Sequence, residues 1–289
     1  MAIIWIFVTS LQLNAIEPPF TWRVDKRVLN SGETGALIIG TEGAVKDLSV
    51  KLGNTLIPTF SCPKKLNEVR AFLPVSLAAM PGTRKLKFTW KEGEILQERS
   101  FDIPIKQKQY QVEKLTVAPK RVDLGPKEVA RVALEAKVMK RIYESPREIP
   151  QWLTRFDFKV PINSQVTSPF GTRRNFNGRL KSFHTGVDLR GNESTKVVAT
   201  HQGEVRAIKS LFFAGTTVVV DHGLGVFSIY SHLSKVLAVV GDKIKRGEVL
   251  GFVGKSGRVT APHLHWGFKV HGVAVSPMQF LEVAKSVCG

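Results

Sequence analysis

Two cysteines in 289 residues are too few for a disulfide framework or a cysteine-based zinc site. Cys62 and Cys288 fall in what read as different domains. The plain expectation is two unpaired thiols, with a bridge left open should the compartment be oxidising. No stretch of 18 consecutive apolar residues occurs, so no integral membrane span is expected. Acidic residues are scarce: 24 Asp and Glu stand against 42 Lys and Arg, for a net charge of +18 spread along the chain. Such a charge favours polyanions, whether nucleic acid, an anionic membrane or an acidic cell wall. The chain lacks a dense Lys/Arg run, a zinc-finger spacing and an RNA-binding signature, so no nucleic-acid partner is expected. Histidine is missing altogether before position 184. What remains, 43% hydrophobic and 23% charged residues, is an ordinary globular composition with length for two domains.

The run Ala2 to Val8 is too short to cross a bilayer and reads as the apolar core of a short signal peptide, residues 1–15, cleaved near Ala15. It lacks a preceding Lys or Arg, and Leu13 is large for its place; the competing reading is a buried N-terminal strand. Residues 16–105 read as a small Ig-like β-sandwich: short strands such as Gly35 to Gly40, Asp47 to Leu52 and the alternating Leu86 to Trp90, separated by Gly and Pro turns. Residues 106–150 read as a connector. Pro126 opens a helical pattern that Ser145-Pro146 ends. Val129, Val132, Ala136, Met139 and Tyr143 share one face, expected to pack against the β domains.

From Gln151 the pattern is β again, with a hairpin over Thr216 to His232, short strands at Val239 to Ile244 and Val249 to Val253, and another at His263 to Val270. Six of the seven histidines lie between His184 and His265. His184 and Asp188 form an H-x-x-x-D pattern, and His263 and His265 an H-x-H. In a strand, His263 and His265 face one side while Leu264 faces the other. Two imidazoles and a carboxylate make a plausible first shell for zinc, which needs about three protein ligands and an open position for catalysis. Each pattern alone is weak. The longer segments are specific: Ser168-Pro169-Phe170-Gly171-Thr172-Arg173, Phe183 to Leu189, Tyr230-Ser231-His232-Leu233-Ser234, and Gly257 to Gly267 with Pro262-His263-Leu264-His265.

In this order the segments resemble the lysostaphin/LytM-type zinc endopeptidases that cut peptidoglycan peptides, over about residues 160–281. The resemblance implies a mainly β fold: an antiparallel, duplicated-hybrid-motif-like catalytic domain over 151–289, beside the sandwich and the connector helix. It implies one zinc per chain on His184, Asp188 and His265, with His232 and His263 catalytic. His263 would take a proton from water and pass it to the leaving amine, and His232 would donate a hydrogen bond to the oxyanion. His222 is expected to be structural, and His201 and His271 to be surface or loop residues. Arg173 and Arg174 read equally as substrate contacts and as solvated loop charges. The chain departs from the family at Gly191 to Val198, where a Gly-Thr-Pro-Val-like turn is usual, and at Ala261, where Gly is usual; neither touches a ligand. There is no H-E-x-x-H helix, so the site is not thermolysin-like.

These features point to a periplasmic or secreted monomeric enzyme acting on peptidoglycan cross-links, with the upstream region open to a regulator. A D-alanine–diaminopimelate bond is preferred, because the upstream domains look like those of Gram-negative members; a glycine bridge stays open. The competing class is a non-catalytic regulator or wall-binding module of the same fold, against which stands the presence of all five key residues.

Overall fold

The computed structural model describes residues 17–41, 45–63, 65–116, 122–152, 156–178 and 180–288. The proposed signal peptide lies outside them. The chain first forms β1 (Phe20–Val24), β2 (Leu29–Asn30), β3 (Thr34–Thr41), β4 (Lys46–Leu52), β5 (Thr55–Leu56), β6 (Thr59–Cys62), β7 (Lys65–Pro74), β8 (Gly82–Glu92) and β9 (Ile95–Lys106). Next come β10 (Val112–Leu115) and α1 (Pro126–Glu144). The remainder is β11 (Val166–Ser168), β12 (Arg173–Phe176), β13 (Leu180–Phe183), β14 (Gly186–Arg190), β15 (Lys196–Val198), β16 (Gly203–Leu211), β17 (Gly215–Asp221), β18 (Val226–Val236), β19 (Lys243–Ile244), β20 (Val249–Val253), β21 (His263–Val270), β22 (Val273–Val275) and α2 (Pro277–Val287).

Two sheets, ordered β1-β3-β7-β6 and β2-β9-β8-β4-β5, face each other across one apolar core. The period-2 alternation of β8 sends Leu86, Phe88 and Trp90 fully into that core, while Lys85, Lys87 and Lys91 pair outward with Asp102, Glu98 and Asp47. The apolar run of β3 has a different cause. Leu37 and Ile39 face the sandwich core, whereas Ala36 belongs to a second core that the sandwich shares with the C-terminal half.

That second core is built on Trp152, fully buried against Phe60 and Phe72 at ring distances of 4.7 and 5.5 Å. Phe280 of α2 meets Phe72 at 5.2 Å on one side and Phe268 at 4.8 Å on the other. The side-chain amide of Gln279 accepts from Thr34 N at 2.9 Å and donates to Thr34 O at 2.8 Å, fixing α2 beside β3. Helix α2 therefore carries its last turn onto the sandwich. There Arg70 donates to the Val287 carbonyl, and Cys62 and Cys288 form a disulfide with Cα atoms 5.7 Å apart. The expectation of unpaired thiols is thus corrected. Packing across the two halves, which Cys spacing does not reveal, brings them together.

The large C-terminal sheet is ordered β11-β14-β21-β18-β17-β16-β19, with β20 on β15 and β18 and β22 on β21. A smaller sheet, β10-β12-β13, stands at its side. Of the segment Val239 to Ile244 only Lys243–Ile244 is strand. Val239 and Val240 are exposed turn residues, held by the Asp242 carboxylate accepting from Val239 N at 2.7 Å.

Helix α1 packs only through part of its expected stripe. Met139 and Tyr143, joined by Ile142, cover Ala207, Val219 and Phe227, whereas Val129 is 53% exposed and Ala136 is open to solvent. Towards its start the helix meets the β16–β17 turn by polar contacts instead. Arg131 lies over the Phe212 ring and reaches Ser210 O at 3.2 Å, and Glu135 accepts from Phe212 N at 2.9 Å. An apolar period marks a helix but not the length of surface beneath it.

The disulfide closes a loop spanning 226 residues, so its loss frees a long stretch of unfolded chain. The doubly substituted Cys62→Ser, Cys288→Ser protein is expected to be about 2–4 kcal/mol less stable in urea melts, and reductant should bring the unsubstituted protein to the same midpoint.

Candidate functional site

The antiparallel register of β14 and β21 sets Asp188 opposite His265 and Arg190 opposite His263; that of β18 and β21 sets Ser231 opposite His265. His184 lies in the short link between β13 and β14, four residues before Asp188. The atoms His184 Nε2, Asp188 Oδ1 and His265 Nδ1 are mutually 2.9, 3.0 and 2.9 Å apart. This is the cluster among the described residues suited to a metal ion. One ion with bonds of about 2.0–2.2 Å can touch all three atoms, and two nitrogens with one carboxylate oxygen is a zinc-type donor set. His184 Nδ1 faces the Pro169 carbonyl at 2.9 Å. A carbonyl only accepts, so Nδ1 carries the proton and the Nε2 lone pair points into the cluster.

Burial pushes the His184 imidazole down to about 4, so it is neutral at pH 7. Burial alone would raise the Asp188 carboxyl, but the His184 and His265 imidazoles packed against it outweigh that and hold the group far below the usual carboxylate range. The site therefore presents neutral imidazole and an ionised carboxylate, the protonation states a metal requires.

His263 and His232 stand at the rim. His263 Nε2 is 3.7 Å from Asp188 Oδ1, and the His232 and His263 rings are 4.9 Å apart. Each is oriented by a carbonyl: His263 Nδ1 lies 2.9 Å from Ala261 O and His232 Nδ1 2.8 Å from Ser256 O. Burial holds the His232 imidazole down at about 3. His232 adopts a left-handed backbone, φ 64°, in the middle of β18, and its N–H donates out of the ladder to Ala214 O at 2.9 Å. A non-glycine residue in this region costs of order 1 kcal/mol or more and marks a place where side-chain direction outweighs strand regularity.

These five side chains open into a cleft of about 540 Å³. Its walls come from the β12–β13 sheet, the Phe213–Ala214 turn and the 258–262 loop. The Arg258 guanidinium lies 4.2 and 4.1 Å from the Phe176 and Phe213 rings, bracing that loop against both walls.

Glu113 escapes sequence reasoning, Ser168 enters it only as part of the Ser168 to Arg173 motif, and Arg174 enters it with two readings, a substrate contact or a solvated loop charge. Arg173 is exposed, but Arg174 is turned inward and pairs with Asp188 Oδ2. The parallel pairing of β10 with β12, which brings Glu113 alongside, has no local signal. Of the remaining histidines, His222 is fully buried, with Nδ1 donating to Gln202 O at 2.7 Å and Nε2 2.7 Å from Ser228 Oγ. His201, expected to be a surface or loop residue, lies in the link between β15 and β16 but is 1% exposed, its ring 4.5 Å from that of Phe158. His271 lies in a turn at φ 48°.

Residues 182–277 match the model of Peptidase family M23. The peptidoglycan DD-endopeptidase ShyA of Vibrio cholerae is 38% identical over 133 residues, 45% of this chain and 31% of that protein. The DD-carboxypeptidase/endopeptidase Mpg of Neisseria meningitidis is 33% identical over 123 residues, 43% of this chain and 28% of its own. The match thus spans about a third of the length of these curated relatives. A crystal structure of a Pseudomonas aeruginosa protein assigned to peptidase M23 covers 90% of this chain and 96% of its own at 25% identity, with a TM-score of 0.66. That likeness extends over the sandwich as well as the C-terminal half.

Gly186 has no room for a side chain: a Cβ would lie 2.5 Å from Trp266 O and 2.7 Å from His265 Nε2. Gly186→Ala is expected to push the His265 ring from the cluster and weaken metal retention about 10–100-fold, read by dialysis against a graded chelator.

Buried histidines also set the acid limit of the fold. Burial pushes His222 down to about 3 and His271 down to about 4, against 6.5 for an unburied imidazole. The unfolded chain takes up these protons first. Stability is therefore whole above pH ~6.5 and falls as pH drops from there towards 3–4. Replacing His222 with Gln, which keeps a donor and an acceptor, should reduce the slope of unfolding free energy between pH 4 and 6 by about 1.4 kcal/mol per pH unit, measured by urea melts.

Proposed function

Residues 182–277 being a peptidase family M23 domain, we propose that the protein is a zinc-dependent endopeptidase that hydrolyses peptide cross-links of bacterial peptidoglycan. The observation that carries this reading is the convergence of His184, Asp188 and His265 on one point, with two further imidazoles at its rim, in an open cleft. His184, Asp188 and His265 would hold the ion. Zinc, when bound, supplies a Lewis acid able to polarise a peptide carbonyl and to acidify water.

The chain's own groups account for the proton transfers. His263 and His232 each give their Nδ1 proton to a carbonyl, so in the neutral state both Nε2 atoms are acceptors. His263, nearer Asp188, takes the proton from the attacking water and returns it to the leaving amine. His232 donates to an oxyanion only once its Nε2 is protonated. With its Nδ1 proton held by the Ser256 carbonyl, His232 would take the second proton of the attacking water on Nε2, donate it as a hydrogen bond to the oxyanion, and release it to the leaving amine as the carboxylate forms.

A D-alanine–diaminopimelate cross-link is the preferred substrate, supported by the DD-endopeptidase names of the relatives. The assigned units are the sandwich, 16–105, the connector, 106–150, and the peptidase, 151–289, acting as a monomer. Export to the periplasm or beyond fits both the substrate and the disulfide, which persists in oxidising compartments.

The test is zinc content together with muropeptide release from purified sacculi. About one zinc per chain and conversion of cross-linked dimers to monomers are expected, both lost in His265→Ala. His232→Ala and His263→Ala should keep the zinc and lose about 10²–10⁴ in rate, the usual worth of a general acid or base. Zinc binding without cleavage by the unsubstituted protein would turn the reading towards a wall-binding or regulatory module.

A further inference from the structure

Three side chains upstream of residues 182–277 converge on the back of Asp188. Arg174 of β12 stands opposite Glu113 of β10 in parallel register. Its Nη2 contacts Asp188 Oδ2 and donates to Ser168 Oγ at 3.0 Å, and its Nε reaches Glu113 Oε2 at 3.4 Å. Ser168 Oγ closes the ring by donating to the same Glu113 oxygen at 3.3 Å. The Arg174 side chain is only 20% exposed and that of Glu113 35%.

The two oxygens of Asp188 thus have separate tasks. Oδ1 faces His184 and His265, while Oδ2 is held from behind. A carboxylate without such a partner is free to swing and to offer either oxygen, or both. The planar guanidinium, with several donors fixed in one fork, removes that freedom in a way an ammonium does not. It also brings a positive charge beside a cation site, which it repels. Glu113 supplies the opposing charge and anchors the far side of the fork.

We infer that Arg174 and Glu113 form a positioning pair that presents Asp188 Oδ1 alone to the metal, Glu113 acting through Arg174; this rests on the zinc reading above. Both residues also line the cleft, but in this role they act through Asp188. Strand β10, upstream of the matched span, is thereby part of the metal centre.

The experiment measures zinc affinity of the full chain by chelator competition for the unsubstituted protein, Glu113→Gln, Arg174→Lys, Arg174→Gln and the Arg174→Gln, Glu113→Gln pair. Thermal midpoints without metal are recorded alongside. Glu113→Gln and Arg174→Lys are each expected to bind zinc about tenfold more weakly at an unchanged metal-free midpoint. In the Arg174→Gln background, Glu113→Gln should change affinity by less than about twofold, since its route to the metal is already gone. Unaltered zinc affinity in Glu113→Gln overturns the inference. So does a tenfold loss that persists in the Arg174→Gln background, because Glu113 would then act on the ion directly. Glu113 is partly exposed, so its substitution does not endanger folding and decides the matter even if an Arg174 variant is unstable. An unsubstituted protein that holds no zinc overturns the proposed function as well; a zinc-binding protein with indifferent variants overturns this inference alone.

Discussion

The centre depends on one register, that of Gly186–Arg190 against His263–Val270. It makes Asp188 and His265 direct cross-strand neighbours, with Ser231 on the other flank of His265. Side chains alternate along a strand, so a slip of one residue would present Leu264 to the cleft and bury His263 and His265. The apolar face of β21 prevents that slip. Leu264, Trp266, Phe268 and Val270 are all fully buried in the shared core. The force that fixes the metal ligands is therefore hydrophobic burial on the opposite face of the same strand.

Departures from regular strand geometry concentrate where that register needs help. Gly186 sits where any Cβ would strike the His265 ring, so the space for the ligand is made by the absence of a side chain. His232 takes a left-handed conformation within β18, and its N–H leaves the ladder for Ala214 O. A regular residue there would continue the alternation set by Tyr230 and Ser231. The irregular one turns the imidazole towards His263, and the Ser256 carbonyl holds it. Local strain is offset by the well-paired strands around it.

What the sequence made legible follows from local rules. The limits of α1 were readable because Pro126 and Ser145-Pro146 act on the backbone where they stand. The H-x-H strand was readable because period 2 is a property of any strand, and the ordered motifs pointed to the fold as a whole. Long-range placement was not readable. The parallel pairing of Val112–Leu115 with Arg173–Phe176 leaves no mark on either segment, so Arg174 reads only as a substrate contact or a loop charge, not as a partner of Asp188, and Glu113 draws no notice. Cys62 and Cys288 meet only because α2 crosses to the sandwich. His201 reads as a surface or loop residue, and nothing in its neighbours announces the Phe158 ring that covers it.

The same long-range contacts argue that the N-terminal sandwich is more than an appended module. A linker-joined domain would bury its apolar face within itself and meet its neighbour through a small polar interface. Here Ala36, Phe60 and Phe72 of the four-stranded sheet lie in one continuous core with Trp152, Phe268 and Phe280. Phe268 belongs to the strand that carries His263 and His265. The sandwich sheet and β21 are thus joined by the successive rings of Phe72, Phe280 and Phe268. Rings packed at interior density transmit displacement rather than absorb it. A change in how the sandwich sits on α2 would reach β21 through Phe280 and Phe268, and so would bear on the register from which the centre is made.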